Sequence, residues 1–458
     1  MLKITETFAQ IKILSVKYLK VPSFFVILHP ESINNMKKSI FYTLLITVTA
    51  ASFCSCIRDK FKYYGYEDQL QGYFPVDSIE KGHTWTLTKS CSSFVNGRVA
   101  DAAKVQILSG NPFSETGVEI LAETKTTMSI SKQLDYVVPN TLNHIYVAVL
   151  DEEGNYLRLA QGATNADNIN LGDTAPTGTP NTVTPQRIFY CFEADYPNPG
   201  DWDYNDVVMS ITKEPTDDEE VIALHVRLDA VGYLKQIAAA IRLVGYANSK
   251  VDITQDEAST FVREPDRNRI FIKQSEVQIE GLNGNAVINL FDDAHLAMFH
   301  LSSDGSVYRR YFNTVENASS NNNGATQAPT TVTYYIDFHD AYMARNFTLA
   351  EIDPFILVQY GTAGENFWEV HTHPYKLTEI LYKYYNGAAQ SYNNGFSWAL
   401  AIPYGKFRWP LEEQAIGGRK NTIVSGAYQT SGHSFGEWIL DHAKSQDWYR
   451  YPADGAVY

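Results

Sequence analysis

Between residues 193 and 206 the chain places five carboxylates, Glu193, Asp195, Asp201, Asp203 and Asp206, together with Asn205, and no Lys, Arg or His stands among them. Like charges this close repel unless a cation sits between them. Hard oxygen donors on alternate residues suit Ca²⁺. Gly200 supplies a turn, and Val207–Ile211 then reads as a buried strand. The loop is not an EF-hand: counted from Asp201, its sixth and twelfth positions hold Asp206 and Thr212, where that loop needs Gly and a bidentate Glu. The competing reading is an acidic turn whose Asp and Asn side chains bond their own backbone. So many acids favour the cation, and Glu193, Asp201, Asp203, Asn205 and Asp206 are the expected ligands of one Ca²⁺.

A candidate second site is Glu369 with His371. In His371-Thr372-His373 two imidazoles stand on alternate residues, and in an extended chain both share a face with Glu369. Hydrogen-bonded histidines at a strand end are the more ordinary outcome, and the favoured one. Glycoside hydrolysis needs two opposed carboxylates, and among 52 acids no pair stands out. No Gly-x-Ser-x-Gly elbow, P-loop or His-Glu-x-x-His is present. Tyr382, Tyr384, Tyr385 and Tyr392 could stack on sugars, although such rings more often cover a sheet. A binding or structural role is therefore expected ahead of an enzymatic one.

The N-terminal region reads as an address. Met36-Lys37-Lys38 is basic, Ile40–Phe53 is apolar and too short to span a bilayer, and Ser55-Cys56 follows. A small residue before Cys is the pattern of a bacterial lipoprotein signal. Residues 36–55 are thus expected to be the signal peptide and Cys56 the lipidated residue, with an ordinary secretory signal, or a buried helix that happens to contain Cys, as the alternatives. Residues 1–35 read as an upstream extension. Cys91 and Cys191 are either bridged or two buried thiols.

The elements around these residues are β in character. The 458 residues are 13% aromatic, with 30 Tyr and 23 Phe, which favours strands. A net charge of −15 argues against nucleic acid, which needs a basic face. Residues 56–71 read as a tether, 72–162 as a small β-sandwich domain, 163–186 as a polar, Pro-rich linker and 187–458 as a second β domain. Ile222, Leu224, Val226 and Leu228 alternate with polar residues, as do Val332, Tyr334, Ile336 and Phe338. Phe435, Trp438 and Ile439 follow helical spacing behind Ser434, a candidate N-cap. The expected fold class is mainly β, with two β-sandwich-like domains and short helices near the C-terminus.

The second domain resembles the LruC-type domain of bacterial lipoproteins. Phe192-Glu193 and Gly200-Asp201-Trp202-Asp203-Tyr204-Asn205-Asp206-Val207-Val208 carry most of the resemblance. Three later blocks follow in order: Glu369-Val370-His371 with Pro374 and Thr378, then Trp398-Ala399 with Ile402-Pro403, then Ala427-Tyr428, Trp438 and Asp447-Trp448-Tyr449. Ala194 stands where that family usually has Asp. The resemblance implies a β-sandwich-like domain on a surface lipoprotein and no activity. Taken together, the sequence points to a lipid-anchored protein of the outer membrane or cell surface. Its calcium-stabilised β domain would meet a glycan or a surface protein. A surface enzyme acting on glycans is the alternative.

Overall fold

The structure, a computed structural model, describes residues 12–15, 24–27, 74–196, 200–259, 261, 276–281, 284–299, 306–360, 366–372, 390–391, 396–418 and 426–458. The signal segment, Cys56, the tether, His373, Pro374, Thr378 and the four tyrosines at 382, 384, 385 and 392 lie outside the described residues. The chain divides into two units, Met1–Tyr63 and Tyr64–Tyr458. In the first, β1 (Lys12–Ser15) and β2 (Phe24–Ile27) pair antiparallel.

The second unit begins with small sheets. Strands β3 (Thr88–Arg98), β4 (Lys104–Leu108), β5 (Glu119–Lys125), β6 (Ser129–Pro139), β7 (His144–Leu150) and β8 (Tyr156–Ala163) follow one another through short turns. At the β7–β8 turn, Asp151 Oδ1 accepts the N–H of Asn155 at 2.8 Å. Then come β9 (Asn168–Asn170) and β10 (Thr184–Pro185). One sheet runs β10-β5-β4-β7-β8 and the other β6-β3-β9. Val105, Ile107, Leu134, Tyr136 and Val147 fill a core of their own, each fully buried.

Residues 163–186, expected as a linker, contain β9 and β10, which pair parallel with β3 and β5. Their composition is polar because two- and three-residue edge strands pair through backbone groups and need little apolar surface. The start of the small domain also differs from expectation. Phe74, Trp85 and Leu87 pack into the large core that follows.

That core lies between two six-stranded sheets. Chain order is β11 (Arg187–Phe192), β12 (Val207–Pro215), β13 (Val221–Ala230), β14 (Ile237–Ala247), β15 (Asp252–Gln255), β16 (Gln278–Glu280), β17 (Asn285–Phe291) and the short helix α1 (Ala294–Met298). The short β18 (Tyr311–Phe312) and β19 (Gly324–Ala325) precede β20 (Thr330–Asp337) and α2 (Ala341–Asn346). Strands β21 (Ile352–Tyr360), β22 (Asn366–His371), β23 (Gln390–Ser391) and β24 (Ala399–Ile402) come next, then the β25–β26 hairpin (Gln429–Thr430, His433–Ser434) and α3 (Phe435–Leu440). The sheets run β15-β20-β13-β12-β11-β24 and β16-β17-β14-β21-β22-β23.

The protein is mainly β, as the alternation predicts. Ile222, Leu224, Val226 and Leu228 are buried on β13, and Val332, Tyr334 and Ile336 on β20, in one cluster with Ile241, Ile288, Ile356 and Val370 of the facing sheet. Burying each such side chain stabilises by about 1.5–3 kcal/mol. Ser434 caps α3 in a reciprocal box with Glu437. Cys91 and Cys191 are free thiols. Among the described residues no helix is long and apolar enough to cross a membrane.

Candidate metal centre

The acidic loop connects β11 to β12, which are antiparallel neighbours. Its aromatic residues anchor it. Trp202 and Tyr204 are fully buried. The Trp202 ring meets Phe74 and Trp398, each at 4.9 Å between centroids. The Tyr204 hydroxyl donates to the Ser397 carbonyl at 2.8 Å. Both residues adopt left-handed backbone, at φ 63° and 53°. That conformation costs a non-glycine residue about 1–3 kcal/mol and persists where packing over-determines it. Here aromatic burial holds the two left-handed residues, and Asp203 between them is turned toward Glu193 and Asp201.

Glu193, Asp201 and Asp203 offer carboxylate oxygens that all lie within 4.8 Å of one another. Glu193 and Asp203 are buried, and Asp201 is half-buried. Glu193 Oε2 accepts the Tyr204 N–H at 3.4 Å, while Glu193 Oε1 is buried without a hydrogen-bond partner. Asp203 accepts from the N–H of Asn205 at 3.1 Å and from that of Glu413 at 3.0 Å. A carboxylate oxygen with one such bond keeps a lone pair for a cation.

Gly200 makes the convergence possible. A Cβ there would stand 2.1 Å from Glu193 Oε1. Gly232 does the same for Asn205, whose Oδ1 would lie 1.9 Å from an added Cβ.

The expected ligands are thus only partly brought together. Asp206 stays outside the trio, and one of its oxygens is committed to the Ala194 N–H. Asn205 donates to the Pro410 carbonyl at 3.1 Å, and its Oδ1 has no partner. Asp195, the acid beside Ala194, accepts from the Tyr233 hydroxyl at 3.0 Å.

Sequence reasoning missed Glu412. This half-buried residue approaches from the far end of the chain, with Thr314 Oγ1 donating to it at 3.1 Å. No local signal marks it, because Glu412 and the loop are joined only by the tertiary fold.

The electrostatics are one-sided. Burial, then the charges of Asp206, Asp201, Asp203 and Asp195, hold the Glu193 carboxyl well above its ordinary range. Burial, then Asp201, Glu412 and Asp206, raise Asp203 likewise. Burial, then Asp195 and Asp201, raise Asp206. Burial and Asp201 push Glu412 up to about 8. Buried carboxylates of this kind require either protons or a cation. The donor set fits a hard divalent ion: all oxygens, convergent, one of them orphaned.

Glu369 and His371 lie elsewhere, on β22. Nδ1 of His371 is 2.8 Å from Asp353 and Nε2 is 3.1 Å from Glu369, all three buried. Arg242 adds a second cation at 3.0 Å from Asp353. Both ring nitrogens face carboxylates, which leaves none for a metal and matches the hydrogen-bonded alternative. A third grouping, Glu80 with Asp441 and His442, is partly exposed, and Glu80 Oε2 already takes the His442 N–H at 2.7 Å.

Residues 220–449 match the family model described as "Domain of unknown function (DUF4842)". That span includes Glu369, His371 and Glu412 and excludes the acidic loop. No curated protein matches the chain. A crystal structure of a candidate lipoprotein from Bacteroides ovatus is similar at 14% identity and a TM-score of 0.44, over 78% of this chain and 99% of that one.

Proposed function

The chain belongs to the family of domains of unknown function DUF4842, a membership that names no chemistry, and from the acidic loop we propose a calcium-stabilised binding or structural module of the bacterial cell envelope. Glu193, Asp201 and Asp203 would hold the ion, with Glu412 from the distant segment and Asn205 Oδ1 as further oxygens. Asp206 fixes the loop through Ala194 and adds negative charge. The observation that carries the reading is Glu193 Oε1. It is fully buried, lacks a hydrogen-bond partner and lies among convergent carboxylates. An acidic turn serving only its own backbone would leave no such oxygen. The ion would tie the β11–β12 loop to the segment around Glu412, some 200 residues on, and so brace one end of the large sandwich.

Calorimetry on the mature chain tests this. One Ca²⁺ should bind with Kd on the order of 10⁻⁴ to 10⁻³ M, as in extracellular modules, and Mg²⁺ should substitute poorly because it dehydrates reluctantly. No heat at millimolar Ca²⁺, together with an unchanged unfolding temperature, would return the loop to a hydrogen-bonded turn.

The LruC-like blocks and the Ser55-Cys56 step support an anchored protein, lipidated at Cys56 after removal of residues 36–55. Ile57 offers no acidic retention signal, which favours the outer membrane or cell surface. There a glycan or a surface protein would be the partner. One acyl chain binds membranes only marginally, so attachment rests on several chains at one Cys. On cell fractionation the Cys56→Ala form should leave the membrane fraction. If it partitions like the wild type, the anchor lies elsewhere.

A further inference from the structure

A cavity of about 230 Å³ lies where the sheet containing β6 and β3 meets β11 and β24 of the large sandwich. Two cross-strand pairs from different sheets line it. Ser90 is the partner of Val137 across β3 and β6, and Tyr190 that of Ala401 across β11 and β24. Leu349, Ala350, Ile352 and Thr372 complete the wall on the side of the large domain. Ser90, Ala350 and Ala401 carry short side chains, so the facing surfaces do not fill the space between them.

The lining is uncharged. Among the described residues no Asp, Glu, Lys, Arg or His takes part in it. Leu87, Val137, Ile188 and Ile352 are buried apolar residues, and Trp85 and Tyr190 add aromatic surface. Two of the hydroxyls are committed: Thr86 Oγ1 donates to the Thr84 carbonyl at 3.2 Å, and Thr372 Oγ1 to Asp353 Oδ1 at 3.1 Å. Thr88 and Ser90 stand two residues apart on one face of β3, and among the described residues their hydroxyls have no partner. Ser90 is exposed, so the cavity reaches solvent beside it. A buried water needs about two to four polar partners. Away from the Thr88–Ser90 edge the walls offer few, which favours an apolar guest.

The walls are also held open. The N–H of Trp85 donates to His83 Nδ1 at 3.1 Å, and Trp85 itself sits at φ 59°. Asn140 Nδ2 donates to the Thr86 carbonyl at 2.9 Å, and its N–H to that of Leu87 at 2.9 Å. A capping box between Thr348 and Glu351 fixes the turn that carries Leu349 and Ala350. A void so braced cannot relax away. An apolar cavity of roughly 150 Å³ accepts benzene, and this one is larger by the space of a second fused ring.

We propose that the cavity binds a neutral bicyclic aromatic molecule with a single hydrogen-bonding group, its rings against the apolar walls and its polar group on Thr88 and Ser90. A carboxylate there would lose its water with no cation to meet it. A sugar would bury more hydroxyls than that edge can pair. None of these residues belongs to the acidic loop, so the inference stands apart from the calcium reading.

Titration of the calcium-loaded full chain with 2-naphthol tests it, beside 2-naphthoate and glucose. 2-Naphthol should bind, 2-naphthoate at least about tenfold more weakly because its charge is buried unpaired, and glucose not at all. Ala401→Phe and Ala350→Leu fill the space and should each weaken 2-naphthol at least about tenfold with no loss in unfolding temperature. Ser90→Ala should weaken 2-naphthol about fivefold, the worth of one hydrogen bond, and leave naphthalene unchanged. In crystals soaked with 6-bromo-2-naphthol, anomalous scattering should place the bromine inside the cavity. An absence of 2-naphthol binding to the wild type would leave the space to water and overturn the proposal. So would equal binding of 2-naphthoate, a folded Ala401→Phe form that binds as well as wild type, or a bromine found elsewhere.

Discussion

Glu193→Gln will raise the stability of the calcium-free protein and abolish its response to calcium. The amide keeps the volume and the Tyr204 N–H bond while removing an ionisable group whose charged form burial and four neighbouring acids oppose. In the wild type, Ca²⁺ at ten times Kd should add about 1.4 kcal/mol. That increment should vanish in the variant. Gly200→Ala should act in the opposite way. Its Cβ would stand 2.1 Å from Glu193 Oε1, so the carboxylate must move, and stability should fall with and without the ion. The pH dependence follows from the raised carboxyls. A folded-state pKa above the unfolded one means that the native protein binds protons more tightly, so stability falls as pH rises through the window. For Glu412 that window runs from its ordinary 4.5 to about 8. The chelated protein should therefore melt lower at pH 8 than at pH 5, and calcium should close most of the gap. Scanning calorimetry with and without chelator reads all of this. A full calcium shift retained in Glu193→Gln would remove Glu193 from the site.

The acidic loop was legible because its information is local. Asp201, Asp203 and their neighbours lie within a few residues, with no basic residue to explain them. The strands flanking it were legible because β12 opens on the apolar run Val207-Val208-Met209 and β13 and β20 alternate with a period of two. What the sequence hides is whatever the tertiary fold assembles. Glu412 reaches the loop from across the large domain. Asp353 meets His371, and Arg242 meets Asp353, only because β14, β21 and β22 are neighbours in one sheet. The Glu369–His371 pair was visible, two residues apart on one face, but the carboxylate on the other ring nitrogen was not. The edge strands β9 and β10 were hidden for a different reason, since backbone pairing leaves no apolar pattern. Left-handed Trp202 and Tyr204 were likewise unreadable, because bulky aromatics are the residues least expected at positive φ.

The buried quartet of Arg242, Asp353, Glu369 and His371 should dominate the alkaline limb of the stability profile. Burial alone would lower the His371 pKa, but the charges and hydrogen bonds of Asp353 and Glu369 overcome it and raise the value to about 9. His371 is therefore an imidazolium at neutral pH, and two cations balance two carboxylates. Because the folded pKa lies above the unfolded 6.5, the stabilisation is fully present below pH 6.5 and is lost as pH rises through about 9. A shift of that size corresponds to about 3 kcal/mol. Lys213 works in the other direction: burial lowers its pKa to about 8, so its contribution improves as pH rises. The clean measurement is therefore a difference, wild type minus His371→Gln, from denaturant unfolding at saturating calcium between pH 6 and 9.5. Removing one member of a buried ion pair costs about 3–5 kcal/mol, because the partner charge is left alone. The variant should be less stable by that order at pH 6, and the gap should narrow toward pH 9.5. A gap that stays constant across the range would mean that His371 is neutral in the folded protein and that Arg242 alone balances the two acids.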